Sequence, residues 1–299
     1  MTLFDPGPAG AGPEPAPVVP APGRTVRLRL DVAYDGAGFH GFAAQPGLAT
    51  VGGVLGEALG TVLGHRVELT CAGRTDRGVH ARGQVVHVDV SPNVDPARLV
   101  RSVNAMLGPA VVLTSATQVA GDFDARRSAR ARRYRYLVFE SDVPDPLLAS
   151  IAWTVRGPLD LRPMRAAADA LLGEHDFRAF CRRVPGSSPD APIPRRVLGC
   201  RWSEVPTSVE ALGQSGDFGE RGGLGGPGLA GGLGRLWRFD ISANAFCHQM
   251  VRSIVGMLVE VGRGRRRASD VHWLLTIGDR SQAPDLAPPH GLCLVGVQY

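Results

Sequence analysis

The chain has 299 residues, of which 44% are hydrophobic and 20% are charged, as in a globular protein with a hydrophobic core of its own. No apolar run approaches the ~20 residues that a membrane span needs, and the N-terminus lacks the basic start and apolar core of a signal peptide. The absence of such a run excludes a membrane-spanning protein. The formal net charge is +5 and all 33 basic residues are arginines, which favours a polyanionic partner.

The first half of the chain mixes strands and helices. Residues 1–24 are rich in Pro, Ala and Gly and are predicted to form a disordered tail. One helix is predicted over residues 51–64, although its glycines weaken it, and a second follows the cap pair Asp95-Pro96. Strands are predicted where apolar residues alternate or cluster, at 26–34, 66–72, 84–90, 111–119 and 133–139.

The second half continues this mixture without a strict alternation of strands and helices, so an α+β fold is favoured over a doubly wound sheet. Residues 212–235 form a Gly-rich, low-complexity segment. Because they cannot bury enough apolar surface to offset their ordering entropy, they are predicted to be a disordered insertion between two strands. Helices are predicted over 161–173, 246–262 and 269–277, and strands over 196–203, 236–243 and 292–297.

The cysteines and histidines indicate no disulfide and no metal site. The five cysteines are far apart and never form a Cys-x-x-Cys pair, which is typical of free thiols in a reducing cytoplasm. The eight histidines show no metal-ligand spacing. We therefore predict a cytoplasmic protein with free thiols and no metal. The cysteines are Cys71, Cys181, Cys200, Cys247 and Cys293.

Arginines are concentrated in two runs, six of them within residues 126–135 and four within 263–267. Each run alone is consistent with a solvated face. Two runs together with a positive net charge favour nucleic acid as the partner.

Residues 73–80, Gly-Arg-Thr-Asp-Arg-Gly-Val-His, form a charged loop between two apolar strand-like runs, which is where proteins often display functional groups. If Arg74 to Asp76 is extended, both side chains point the same way, because side chains alternate along a strand. A surface turn with an exposed ion pair is the alternative, since such pairs are common and weak.

This loop resembles the G-R-T-D-A-G-V-H signature of the TruA family of tRNA pseudouridine synthases, with Arg77 where Ala is usual. Other stretches resemble the same family, so the resemblance covers roughly residues 26–299 apart from the insertion. Departures from the family pattern include Phe42, Gly52 and Asp124. The similar stretches are 34–42, 122–129, 132–136, 173–177, 244–252 and 287–292.

The resemblance implies roles for four residues, and the arginine run at 126–135 adds a fifth. Asp76 is the implied nucleophile, and with a reference pKa of ~3.9 an aspartate is ionised at neutral pH without a base. Arg74 is implied to pair with Asp76 and to fill the space of an extruded base. Tyr134 is the implied aromatic wall for that base, Arg252 is the implied second basic residue of the site, and Arg126 belongs to an arginine run expected to bind the substrate.

Neighbouring residues allow other interpretations. Tyr136 lies on the same strand face as Tyr134 and fits the core as well as the site. Without the resemblance, Tyr134 would be interpreted as a core residue, and Arg252 as a phosphate contact or a helix-end charge. For His80 we expect a structural hydrogen bond rather than acid–base catalysis.

The resemblance also implies a pseudouridine synthase fold. Two α+β halves of ferredoxin-like topology, at 25–120 and 121–299, would join their sheets into one sheet flanked by helices, with a central cleft. A homodimer would isomerise uridines 38, 39 and 40 of the tRNA anticodon arm without a cofactor. Two other classes stay open: an RNA-binding module, which would not need Asp76, and a glycosidase, which would need a second carboxylate near it.

Overall fold

The computed structural model describes residues 25–183, 186, 188, 191–205 and 234–299. Within these residues, ten strands form one sheet. The strands are β1 (Val26–Tyr34), β2 (Thr70–Cys71), β3 (His80–Val90), β4 (Val111–Val119), β5 (Ala131–Glu140), β6 (Trp153–Val155), β7 (Gly173–Asp176), β8 (Pro194–Val205), β9 (Arg235–Ala243) and β10 (Leu292–Gln298). The helices are α1 (Val51–Leu63), α2 (Pro96–Leu107), α3 (Leu161–Asp169), α4 (Met250–Gly262) and α5 (Ser269–Ile277).

The sheet consists of two halves with the same strand order. In the first half β4, β1, β3 and β2 lie side by side, and in the second half β10, β5, β9 and β8 do. The first half has the chain order strand, helix, strand, strand, helix, strand, which is the ferredoxin-like arrangement, and the second half has the same order with β6, β7 and α5 added. The predicted α+β class is therefore confirmed, while the division of the chain at residues 120 and 121 stays a prediction.

The two halves meet at β10. This strand pairs in parallel with the start of β3, where Cys293 faces His80, and antiparallel with β5, where Leu294 faces Tyr134. The last strand of the chain therefore fixes the distance between the end of the 73–80 loop and the strand that carries Tyr134.

Local sequence explains where several helices begin. The side chain of Thr50 accepts a hydrogen bond from Gly53 at the start of α1, and Asp95 accepts one from Ala97 at the start of α2. Such caps satisfy amide groups that have no partner within the helix. Helix α4 has eleven of its thirteen residues buried, as expected of a helix that is apolar on all sides.

Four predicted boundaries are wrong. In the strand predicted over 66–72, only Thr70 and Cys71 pair with a neighbouring strand. Val67 and Leu69 are apolar because they pack against the core, and this gave the segment the pattern of a longer strand. The strand predicted over 84–90 begins earlier, at His80.

Two predicted helices are also too long. Helix α3 ends at Asp169, and Gly173, with a positive φ of 96°, begins β7 instead. The late helix begins at Met250 and not at Phe246, because Gln249 has a φ of 67° in the left-handed region, which a right-handed helix does not contain.

The predictions of a disordered tail at 1–24 and a disordered insertion at 212–235 lie outside the described residues, apart from the final residues of the insertion, where β9 begins at Arg235.

The prediction of five free thiols is wrong for two cysteines. Cys181 and Cys247 form a disulfide, with their Cα atoms 5.7 Å apart, while the other three cysteines are free. The two cysteines are 66 residues apart in the sequence. Their pairing depends on how α4 packs in the second half, so their spacing could not predict it.

Candidate active site

The loop at residues 73–79 connects β2 to β3, and hydrogen bonds from other residues of the first half fix its position. The Tyr34 hydroxyl lies 2.8 Å from the buried Thr75 hydroxyl, and the Gln84 amide donates to the carbonyl of Gly73 at 2.7 Å. The amide of Phe42 donates to the carbonyl of Thr75 at 3.1 Å. These bonds fix the backbone on either side of Asp76.

Glycines of the 34–42 stretch allow this close approach. A Cβ on Gly41 would lie 2.9 Å from the carbonyl oxygen of Thr75, and Gly41 has a φ of 95° that favours glycine. A Cβ on Gly36 would collide with the backbone of Val79. The two stretches that resemble the family are therefore packed against each other.

Asp76 lies between an imidazole and a guanidinium group that come from the second half. Its Oδ1 lies 3.3 Å from Nε2 of His248, and its Oδ2 lies 3.5 Å from Nη1 of Arg252. The Asp76 side chain is 23% exposed and that of Arg252 is 14% exposed, so the carboxylate is accessible while its main cation is nearly enclosed. Arg252 is further fixed by donating from Nε to the carbonyl of Ala287 at 2.8 Å.

Arg74 does not form the expected ion pair with Asp76. Among the described residues, the ion-pair partners of Asp76 are His248 and Arg252. Arg74 is exposed and lines the same cleft as Asp76. Its guanidinium group is therefore available to a ligand.

Tyr134 lines the same cleft as Asp76. It is 8% exposed, and its ring meets that of Phe246 edge-on with centroids 5.1 Å apart. Burial raises the pKa of the Tyr134 phenol, so the hydroxyl stays protonated at neutral pH. Phe246 lies in the turn before α4 and fixes the orientation of the Tyr134 ring.

The predicted site residues share one open cleft of about 2750 Å³. A small-molecule pocket is usually about 300 to 1,000 Å³, so this cleft suits a macromolecular ligand better. Arg126 lines it through an exposed side chain. The cleft thus brings together Asp76, Arg74, Tyr134, Arg252 and Arg126.

Sequence reasoning missed two residues of the site. His248 belongs to the family-like 244–252 stretch, but that stretch assigned it no role. Arg132 heads the R-x-Y-x-Y stretch, and its guanidinium donates to four carbonyl oxygens, including those of Ala72 at 2.9 Å and Asn244 at 2.9 Å. Burial lowers the pKa of Arg132. This arginine joins the strand before the 73–80 loop to the segment before α4.

Tyr136 and His80, for which the sequence allowed more than one role, both make hydrogen bonds to the backbone. Tyr136 is fully buried and donates its hydroxyl hydrogen to the carbonyl of Pro288 at 2.7 Å. The Nδ1 atom of His80 accepts a hydrogen bond from the amide of Gly36 at 3.1 Å, and its Nε2 lies 3.0 Å from the carbonyl of Ser150. The structural hydrogen bond expected for His80 is confirmed.

In the part of the chain that the structure describes, no group of three His, Cys, Asp or Glu side chains could hold a metal ion. Nor is any helix there long and apolar enough to cross a membrane.

Known proteins with similar sequences indicate the class of enzyme to which this fold and site belong. The sequence model of a family described as tRNA pseudouridine synthase matches residues 167–299, which include Arg252.

Relatives that match over most of the chain narrow this class. A tRNA pseudouridine synthase A of Frankia casuarinae is 41% identical over 280 residues, covering 92% of this chain and 89% of the relative. That of Myxococcus xanthus is 38% identical over 274 residues, covering 91% and 92%, and that of Corynebacterium glutamicum is 37% identical over 287 residues, covering 92% and 89%. The chain belongs to the tRNA pseudouridine synthase A family, which confirms the TruA resemblance and makes it an isomerase.

Among solved structures, a Cbf5-Nop10-Gar1 complex aligns over 78% of this chain and 45% of that chain, with 15% identity and a TM-score of 0.30. A score this low carries no argument.

Proposed function

We propose that the chain converts uridine to pseudouridine at positions 38, 39 and 40 in the anticodon stem-loop of tRNA, in the cytoplasm, with Asp76 as the nucleophile. The observation that carries this proposal is the position of Asp76. Its carboxylate is accessible from an open cleft, lies within 3.5 Å of Arg252, and shares the cleft with the aromatic wall of Tyr134.

Beyond a nucleophile, this isomerisation requires few other groups. The reaction breaks the bond between N1 of uracil and C1′ of ribose, forms a bond between C5 and C1′, and exchanges a hydrogen on C5 for one on N1. Nothing is oxidised or reduced, so no cofactor is needed. A covalent bond to Asp76 holds one fragment while uracil turns, and attack on the base and attack on the ribose both satisfy this balance.

The surroundings of Asp76 suit a base that has left its stack. RNA loops expose bases that can be splayed out and stacked on aromatic side chains. Tyr134 offers such a surface, and stacking of this kind contributes about 1–3 kcal/mol per base. Arg74, which has no ion pair with Asp76, supplies a planar guanidinium that can occupy the vacated position in the RNA.

The two alternative classes are less well supported. A glycosidase of the usual type places a second carboxylate as an acid or base, whereas the titratable side chains that contact Asp76 among the described residues are His248 and Arg252. An RNA-binding module would have no use for a carboxylate in the middle of its cationic groove. We also propose a homodimer, as the family resemblance implies, which light scattering of the purified protein would test.

The test is to incubate the protein with a tRNA transcript and map pseudouridine chemically. Wild type should modify the anticodon arm, and Asp76→Asn should produce no pseudouridine, because an amide is not a nucleophile of this kind. Glu57→Gln is the matched control, since Glu57 is an exposed carboxylate of the same cleft that forms no ion pair among the described residues. Full conversion by Asp76→Asn, or none by wild type, would refute the proposal.

A further inference from the structure

We use the name Arg182 cluster for three arginines of the second half, of which Arg182 and Arg280 are close enough for their charges to interact: Arg182, Arg195 and Arg280. Arg182 follows a short 3₁₀ turn, Arg195 lies on β8, and Arg280 begins the 3₁₀ turn after α5. Arg182 and Arg195 line the same cleft as Asp76. None of the three belongs to the arginine runs at 126–135 and 263–267.

The cluster is attached directly to the segment that contacts the nucleophile. The backbone amide of Arg182 donates to the carbonyl of His248 at 2.9 Å, and Nη2 of Arg280 donates to Oε1 of Gln249 at 2.9 Å. His248 is the residue whose imidazole lies 3.3 Å from Asp76. A ligand bound by the cluster would therefore lie beside a ligand bound at Asp76.

The members of the cluster lack the carboxylate partners that Arg27 and Arg135 have. Arg27 pairs with Asp89 at 2.7 Å and Arg135 pairs with Asp240 at 2.9 Å. Among the described residues, no carboxylate forms an ion pair with any member of the Arg182 cluster, so its positive charge is left uncompensated.

The polar contacts within the cluster are to neutral oxygens. Nη1 of Arg280 and Nε of Arg195 are buried without a hydrogen-bond partner among the described residues. The contacts that these side chains do make are to Oε1 of Gln249 and to the carbonyl of Pro194. Burial lowers the pKa of both groups, and the charge of Arg182 lowers that of Arg280 further. A partly buried guanidinium group that has no carboxylate beside it is stabilised when an anion pairs with it.

The open cleft and the chemistry of arginine identify that anion. Guanidinium groups bind phosphate through two parallel hydrogen bonds, and the cleft is too wide for a small anion alone. We propose that the Arg182 cluster binds backbone phosphates of the RNA whose uridine lies at Asp76, as a phosphate site of the second half separate from Arg126. This inference rests on the proposed function, because it takes RNA as the occupant of the cleft.

The test measures RNA binding as a function of salt in single variants Arg182→Gln, Arg195→Gln and Arg280→Gln. The probe is a fluorescently labelled anticodon stem-loop RNA, and the background is Asp76→Asn, so that no reaction takes place. Arg196→Gln is the matched control, since Arg196 is the exposed neighbour of Arg195 on β8 and does not line the cleft.

Each cluster variant should bind severalfold more weakly than the control. The slope of log K against log salt concentration should also become shallower by about 0.7–0.9 for each RNA phosphate that the variant no longer neutralises. Three cluster variants with the slope of the control would overturn the proposal. Thermal unfolding of each variant without RNA separates binding from folding, because removal of an uncompensated cation should not lower the melting temperature.

Inorganic phosphate provides a second measurement that does not use RNA. It should raise the melting temperature of the wild type more than that of the Arg182→Gln/Arg280→Gln double variant, and equal increases would count against the site. The two proposals fail separately. Unchanged slopes with normal pseudouridine formation would reject the cluster alone, and shallower slopes with no pseudouridine formed by wild type would reject the reaction alone.

Discussion

Replacing Arg252 with glutamine should slow the formation of pseudouridine without unfolding the protein. Arg252 makes two contacts that glutamine cannot make together: Nε donates to the carbonyl of Ala287, and Nη1 faces Asp76. The backbone carbonyl of Arg252 still accepts from the amide of Ala287 at 3.2 Å in the variant. The start of α4 should therefore stay in place while Asp76 loses its better enclosed cation.

The magnitude follows from the distance of 3.5 Å between Nη1 and Oδ2. Coulomb's law gives about 5 kcal/mol at an effective dielectric constant of about 20, and about 1 kcal/mol in water. The pair is partly exposed, so its interaction energy lies between these limits. If the transition state uses it, the rate constant should fall by at least about fivefold, since about 1.4 kcal/mol corresponds to a factor of ten.

The assay is a single turnover with excess enzyme and tRNA tritiated at C5 of uridine, because the C5 hydrogen is released when the new bond forms. Arg252→Lys keeps the charge but not the planar fork and should recover part of the rate. Arg201→Gln removes an exposed charge of β8 that does not line the cleft and is the control. A wild-type rate in Arg252→Gln would refute the argument that this cation supports Asp76.

Three further predictions concern the scaffold. Gly41→Ala should lower the melting temperature more than Gly47→Ala, because both have positive φ but only the first places a Cβ against the carbonyl of Thr75; equal decreases would contradict this contact. Ellman's reagent should detect three thiols in the unfolded, unreduced protein and five after reduction, and five before reduction would disprove the disulfide. Burial holds the pKa of His87 below 6.5 in the folded state, so the stability that depends on neutral His87 is complete above pH 6.5 and is lost as the pH falls below it. Thermal unfolding between pH 7.5 and 5 should show this decline, and the decline should be smaller in His87→Gln.

Where a local pattern determined an element, the sequence predicted it closely. Alternation of apolar and polar residues gave the bounds of β1 and β4, and the cap pair Asp95-Pro96 gave the start of α2. The boundary of α4 could not be predicted in this way. Phe246 and Met250 are spaced as on a helix, yet Phe246 packs against Tyr134 from the turn before it, because Gln249 is in the left-handed region.

The candidate site shows the same limit. The family-like stretches indicated Asp76, Tyr134 and Arg252, and these residues do share one cleft. The contacts among them were not predictable, because side-chain partners depend on how the two halves join. His248, and not Arg74, lies against Asp76. The arginine run at 263–267 was also a poor guide, since Arg263 and Arg265 both pair with Glu260.

Strand β10, which joins the two halves, sets the position of Asp76 relative to Tyr134 although it carries no proposed site residue. The loop with Asp76 belongs to the first half and Tyr134 to the second, and both are held in register through β10, where Leu294 faces Ala81 on one side and Tyr134 on the other. The parallel pairing with β3 involves only Cys293 and Leu294 of β10. A slip of one residue there would turn alternate side chains to the opposite face of the sheet. The distance between Asp76 and Tyr134 thus depends on a short pairing of the last strand, which no pattern within the 73–80 loop could indicate.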